Sequence, residues 1–243
     1  MIISLLWQIF FVIFMIFCLM ALLGYYILLP LSSRRRARRM IYRWVRFWGR
    51  VTVLSTGSKV EIEGLEKLPK QRNLCLVGNH QSFFDIPALL GWIGIPAGFI
   101  SKQELSKIPV LSHWMRLLPC VFINRKNARE AMRSFQMSAE VIAAGNPIVL
   151  FPEGTRSKSD TLGEFKPGSL KLPQMAGAII VPFALSGTWR IYEIDKRIHA
   201  SKVRIRILDP IYPDNPLYKD RDALLEHLFS SIAQAKQELL EKP

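Results

Sequence analysis

The sequence predicts an α/β domain carried behind a helical membrane segment. Two features point there: from Met1 to Leu31 the only clearly polar side chains are Ser4 and Gln8, and after Gly57 short apolar runs alternate with amphipathic stretches. Charge is the third. Of a net +14 over 243 residues, +9 falls in residues 1–60, which hold Arg34, Arg35, Arg36, Arg38, Arg39, Arg43, Arg46, Arg50 and Lys59 and no acid. With half the residues hydrophobic the chain has enough apolar surface for a large core, which argues against disorder. The basic balance asks for an anionic partner, either a membrane surface or a nucleic acid.

The first apolar run, as a helix rising ~1.5 Å per residue, exceeds the ~30 Å hydrocarbon thickness of a bilayer. A cleaved signal would need its positive charge before the apolar run, whereas here the arginines follow it. Those arginines place the rest of the chain on the cytoplasmic side. Alternatively Gly24 and Pro30 interrupt the run, so that one helix dips into a single leaflet and a second lies flat on it.

The next stretch, RRRARRMIYRWVRFWGRV, sorts by face at ~100° per residue. Met40, Ile41, Trp44, Val45, Phe47, Trp48 and Val51 fall in one arc of roughly 160° and the arginines on the other side, the pattern of an interfacial helix on anionic lipid. Nucleic acid is the weaker reading, because the neighbour of the arginines is an apolar run of membrane length. Residues 1–56 therefore read as membrane-anchoring and basic amphipathic helices and 57–243 as one α/β domain.

Within that domain, strands are predicted at 60–62, 74–77, 98–100, 121–124, 148–151, 179–184 and 203–208, and helices at 82–92, 109–117, 128–144, 169–176 and 221–240. VRIRIL alternates, as an edge or one-sided strand does. The last helix reads as packing. Cys75 and Cys120 stand in apolar runs as buried thiols, and with Cys18 they form no C-x-x-C and meet no histidine at metal spacing, so a reducing compartment and no structural metal are expected.

Candidate chemistry sits where strands end, which is where α/β proteins place ligands. GNHQSFFD follows the apolar run LCLV. Its S-x-x-D, Ser82 to Asp85, is a capping box that would start a helix at Ser82, which by itself accounts for the aspartate. On one continuous helix His80 and Asp85 would point ~140° apart, but with His80 in the turn before the helix the carboxylate can reach the imidazole. A carboxylate that fixes the tautomer leaves the other ring nitrogen as a general base. FPEGTRS follows the strand IVL: Gly154 permits close backbone approach, Thr155 offers a hydroxyl and Arg156 a forked phosphate contact. Arg125 in VFINR and Lys102 after GFI add cations at strand ends, although each alone is more often a solvated surface charge. No G-x-S-x-G, no G-x-x-x-x-G-K-[ST] and no H-E-x-x-H is present, which removes the usual support for serine hydrolase, P-loop and zincin readings.

NHQSFFD, CVFINR, FPEGTRS and VPFAL, in that order, resemble the four blocks of the glycerolipid acyltransferase family, and within it the 1-acylglycerol-3-phosphate acyltransferases, over roughly residues 60–210. One departure is Pro119-Cys120 before Val121, where the family often has glycine. The resemblance implies a mixed sheet flanked by helices and a catalytic pair at His80 and Asp85. It implies acceptor binding by Arg125 and a glycerol phosphate at or near Glu153, Gly154, Thr155 and Arg156. Val181-Pro182-Phe183 would lie near the acyl chain or in the site wall. It further implies acyl transfer from acyl-CoA or acyl-ACP, with no other cofactor, to the sn-2 hydroxyl of lysophosphatidic acid at the cytoplasmic face of a membrane. His80 would act as base, Arg156 would hold the phosphate with Arg125 and Lys102, and a backbone N–H at the helix start would support the oxyanion. The rivals are another acceptor such as glycerol 3-phosphate, a noncatalytic sensor of anionic lipid, and a tethered nucleic-acid binder.

Overall fold

The computed structural model describes residues 2–124 and 127–242. In chain order the elements are α1 (Ile2–Leu28), α2 (Arg34–Leu54), β1 (Lys59–Glu63), β2 (Leu74–Gly78), α3 (Asp85–Trp92), β3 (Gly98–Lys102), α4 (Pro109–Leu117), β4 (Val121–Ile123), α5 (Ala128–Ala143), β5 (Ile148–Leu150), α6 (Lys171–Met175), β6 (Ile179–Ser186), β7 (Lys202–Ile207) and α7 (Arg221–Glu241). Every predicted strand is present, with ends shifted by one or two residues. The helix expected over 169–176 is a 3-10 turn, Pro167–Leu170, followed by the short α6.

Among the described residues seven strands form one mixed sheet in the order β1-β7-β6-β2-β5-β3-β4, in which β6 and β7 pair antiparallel and the other neighbours parallel. The central strands are apolar without alternation because both faces are covered. Leu74 and Leu76 join the core under α2 and α3, whereas Cys75 and Val77 join the core under α5, α6 and α7. Leu224, Leu228, Ile232 and Leu239 bury the inner face of α7 in that second core, the packing role expected of it.

Of the two readings of VRIRIL the edge strand is excluded, since β7 lies between β1 and β6, whereas the one-sided strand holds, with Val203, Ile205 and Ile207 in the first core. Its polar face is satisfied across the ladder, since Arg204 and Arg206 stand opposite Glu61 and Glu63 in register and bond them at 3.2 and 3.0 Å. Opposite charges directly across a strand pair stabilise it, and KVEIE on β1 is the complement of VRIRI on β7.

α1 is long and apolar enough to cross a membrane and runs unbroken through Gly24; the chain turns only at Leu29–Leu31, which contains Pro30. α2 then returns antiparallel along α1, as shown by Phe17 on Trp44, Phe14 on Phe47 and a 2.9 Å hydrogen bond from Trp7 Nε1 to Ser55 Oγ. The apolar arc of α2, expected to face lipid, is divided: Ile41 and Val45 are buried in the first core, and Met40 and Trp48 pack against it, while Phe47 is exposed. α2 crosses α3 closely enough that a Cβ on Gly49 would come within 2.5 Å of the Pro87 carbonyl oxygen, so glycine is required there.

Candidate active site

β6, β2, β5, β3 and β4 run parallel as neighbours, so the segments leaving their C-terminal ends gather along one edge of the sheet. His80 follows β2. Its ring lies flat on Phe151, which follows β5, with centroids 4.0 Å apart. The backbone is tied to the FPEGTRS segment in parallel, Ser157 N–H donating to the His80 carbonyl at 2.8 Å and Lys158 N–H to that of Gln81 at 3.1 Å.

Asp85 reaches back as the turn geometry requires. Its Oδ2 lies 2.6 Å from His80 Nδ1 and accepts from the Gln81 and Ser82 N–H groups at 2.6 and 3.0 Å; Oδ1 accepts from the Thr188 hydroxyl. Asp85 is fully buried and meets only donors, so Nδ1 carries the proton and Nε2 is left as the acceptor nitrogen on a ring that is 17% exposed. The capping box is realised with a shift. Regular helix begins at Asp85, Ser82 Oγ accepts from Phe84 N–H at 3.2 Å, and the Asp85 carboxylate closes the other half on Ser82 N–H. The four N–H groups from Gln81 to Phe84 are thereby engaged, Phe83 donating to Glu193, so oxyanion support expected from the helix start is not free there.

The other expected residues separate. Glu153 is 3% exposed and turned inward, one oxygen accepting the His80 N–H at 2.6 Å and the other the Gly163 N–H at 2.9 Å. Burial pushes its carboxyl above the ordinary range against those two bonds. Its side chain holds the histidine's backbone. Gly154 closes the turn at φ +68°, donating to the Phe151 carbonyl at 3.0 Å, and Thr155 is exposed beside it. Arg156 lies over the Phe83 ring at 3.5 Å, and its Nη1 donates to Glu193 Oε1 at 2.6 Å. Burial raises the Glu193 carboxyl, but Lys196, bonded at 2.9 Å, and Arg156 hold it below the usual range. Lys102 is exposed at the end of β3, two strands from β2. Arg125 lies outside the described residues. Val181 and Phe183 are fully buried, and of the two Phe183 reaches the site, edge-on to Phe151 at 6.2 Å. Cys75 is fully buried as expected, whereas Cys120 is only partly buried and lines the apolar cavity described below, where desolvation pushes its thiol up to about 12.

Thr188 and Glu193 also serve the site, although neither belongs to one of the four sequence blocks. Both follow β6, and the S-G-T turn after a fully apolar strand was the available signal.

Beside Phe83 opens a cavity of about 260 Å³ with almost wholly apolar walls, running between α1, α2 and α3 on one side and β3 and α4 on the other. Phe83 lines its mouth and carries Arg156 on its face, so a cation and an apolar channel meet at one ring.

The acyltransferase family model matches residues 59–186. The chloroplastic 1-acyl-sn-glycerol-3-phosphate acyltransferase BAT2 of Brassica napus is 34% identical over 181 residues, 73% of this chain and 52% of that protein. A probable 1-acyl-sn-glycerol-3-phosphate acyltransferase of Mycoplasma pneumoniae is 33% identical over 73% of this chain and 71% of its own length. The crystal structure of the 1-acyl-sn-glycerophosphate acyltransferase PlsC from Thermotoga maritima superposes with a TM-score of 0.79 at 27% identity, over 94% of this chain and 98% of that one. The chain spans about half the length of the chloroplast relatives. Four sequence blocks, the sheet that gathers three of them around His80, and these matches together show that the chain belongs to the acyltransferase family.

Proposed function

We propose that this chain transfers an acyl group from a thioester, on coenzyme A or acyl carrier protein, to the sn-2 hydroxyl of 1-acylglycerol 3-phosphate, forming phosphatidic acid. The carrying observation is the 2.6 Å contact between His80 Nδ1 and a fully buried Asp85. In the reaction, Nε2 of His80 takes the hydroxyl proton as the acceptor oxygen attacks the thioester carbonyl. The tetrahedral intermediate collapses by breaking the carbon–sulfur bond, and the departing sulfur takes the proton from His80. Asp85 holds the ring and stabilises the imidazolium between the two transfers. No covalent acyl-enzyme is required. Arg156 binds the acceptor phosphate from its seat on Phe83, with Lys102 and Arg125 as further cations and Gly154 and Thr155 beside it, and the apolar cavity takes an acyl chain.

The domain sits on the cytoplasmic face with α1 in one leaflet. At ~1.5 Å per residue α1 is about 40 Å long, yet both ends are held on the same body: Ser4 Oγ accepts from Ile198 N–H at 3.1 Å, and the other end turns into α2. Ile2, Leu6, Ile13, Ile16 and Met20 leave its outer side apolar and exposed, suited to acyl chains.

The test is transfer by purified protein with lysophosphatidic acid and other acceptors, each offered with both thioesters. His80→Ala is expected to abolish turnover and Arg156→Ala to raise the acceptor KM. Full activity in a folded His80→Ala protein sinks the mechanism, and preference for another acceptor replaces the substrate.

A further inference from the structure

A second cavity, of about 220 Å³, lies at the opposite edge of the sheet from His80. It is lined by Arg39, Arg43 and Arg46 from α2 and by Arg72 from the segment entering β2, and it reaches the Gly94–Pro96 turn after α3. The catalytic turn precedes α3 and this turn follows it, so the two sites are separated by the length of that eight-residue helix, about 12 Å.

These guanidinium groups differ from their neighbours. Arg38 bonds Tyr42 and Asn146, and Arg50 bonds the Gly91 carbonyl, whereas Arg39, Arg43, Arg46 and Arg72 have no hydrogen-bond or carboxylate partner among the described residues. Four like charges around one hollow repel one another, and an anion of two or more acceptor oxygens relieves this most directly. The floor is apolar: Val45, Leu90 and Leu118 line this cavity and also the channel beside Phe83. A phosphate with a hydrocarbon tail matches guanidinium at the rim and aliphatic carbon below.

We propose that this cavity is a noncatalytic site for the phosphate of an anionic membrane lipid, bound by Arg39, Arg43, Arg46 and Arg72. The inference does not depend on the acceptor or donor of the reaction.

Arg72 supplies the test because it belongs to the α/β domain and not to the basic helix. Full-length protein in nonionic detergent is titrated calorimetrically with dihexanoyl phosphatidylglycerol and, separately, with inorganic phosphate. Saturable lipid binding is expected, with phosphate about tenfold weaker or more. Arg72→Ala is expected to weaken lipid binding about tenfold, and Arg35→Ala, which removes the same charge outside the cavity, by less than about twofold. Arg43→Ala repeats the comparison should Arg72→Ala shift the melting temperature. Equal losses at Arg72 and Arg35 would mean diffuse attraction, and phosphate binding as tightly as lipid would mean a free-anion site. Either result, or the absence of saturable binding, overturns the proposal.

Discussion

Thr188→Val isolates the support beneath the proposed catalytic pair. The hydroxyl donates to Asp85 Oδ1 at a point where neither residue has solvent contact, so water cannot take its place. Valine keeps the shape and removes the donor. A hydrogen bond to a charged group is worth ~1.5–3 kcal/mol, so stability is expected to fall by that amount in a urea titration. Oδ2 keeps its bonds from His80, Gln81 and Ser82, so the carboxylate stays in place, but its alignment is then fixed through one oxygen instead of two. If the misalignment reaches the transition state in full, 1.4 kcal/mol being a factor of ten, kcat falls about tenfold to a hundredfold. The acceptor KM should stay within about twofold, because Arg156 and Phe83 are untouched. Thr188→Ser should recover most of both losses. The reasoning fails if stability drops while kcat is unchanged, or if the loss appears in KM alone.

Glu193→Gln removes the charge that seats Arg156 on Phe83 and is expected to raise the acceptor KM several-fold with kcat little changed, read from steady-state kinetics. Gly78→Ala pushes a Cβ into the buried Phe183 ring, which abuts Phe151 and through it His80; a loss of ~1–3 kcal/mol in chemical denaturation is expected, with lower turnover. Glu153 carries a pH signature. Its folded pKa lies above its ordinary 4.5, so the native state holds its proton more tightly than the unfolded chain. The corresponding stability is complete below about pH 4.5 and is lost as pH rises through the raised value. In Glu153→Gln that decline should vanish from the stability profile, and an unchanged slope would show that another group titrates.

Both helices of the N-terminal segment, every strand and the His80–Asp85 pair were legible because each rests on local chemistry: apolar length, period, and a cap that folds five residues back on themselves. Glu153 and Thr188 were not legible in their roles. A carboxylate in a polar turn reads as ligand-facing until the backbone N–H groups of His80 and Gly163 are brought to it, and those lie on other parts of the chain. The same holds for β7, whose alternation suits an edge strand until β1 supplies Glu61 and Glu63 from far upstream. It holds for α2, whose apolar arc reads as lipid-facing although Ile41 and Val45 are buried in the core that includes α3.

Residue type and period are enough to tell which groups this protein has for its chemistry and that its first helix is suited to lipid. What those groups face is set by contacts distant in the chain: which carboxylate holds a ring, a backbone or a guanidinium, and which arginines have no partner among the described residues. Strand order sets those distances, and it arises from pairing between segments more than a hundred residues apart, as in Thr188 on Asp85.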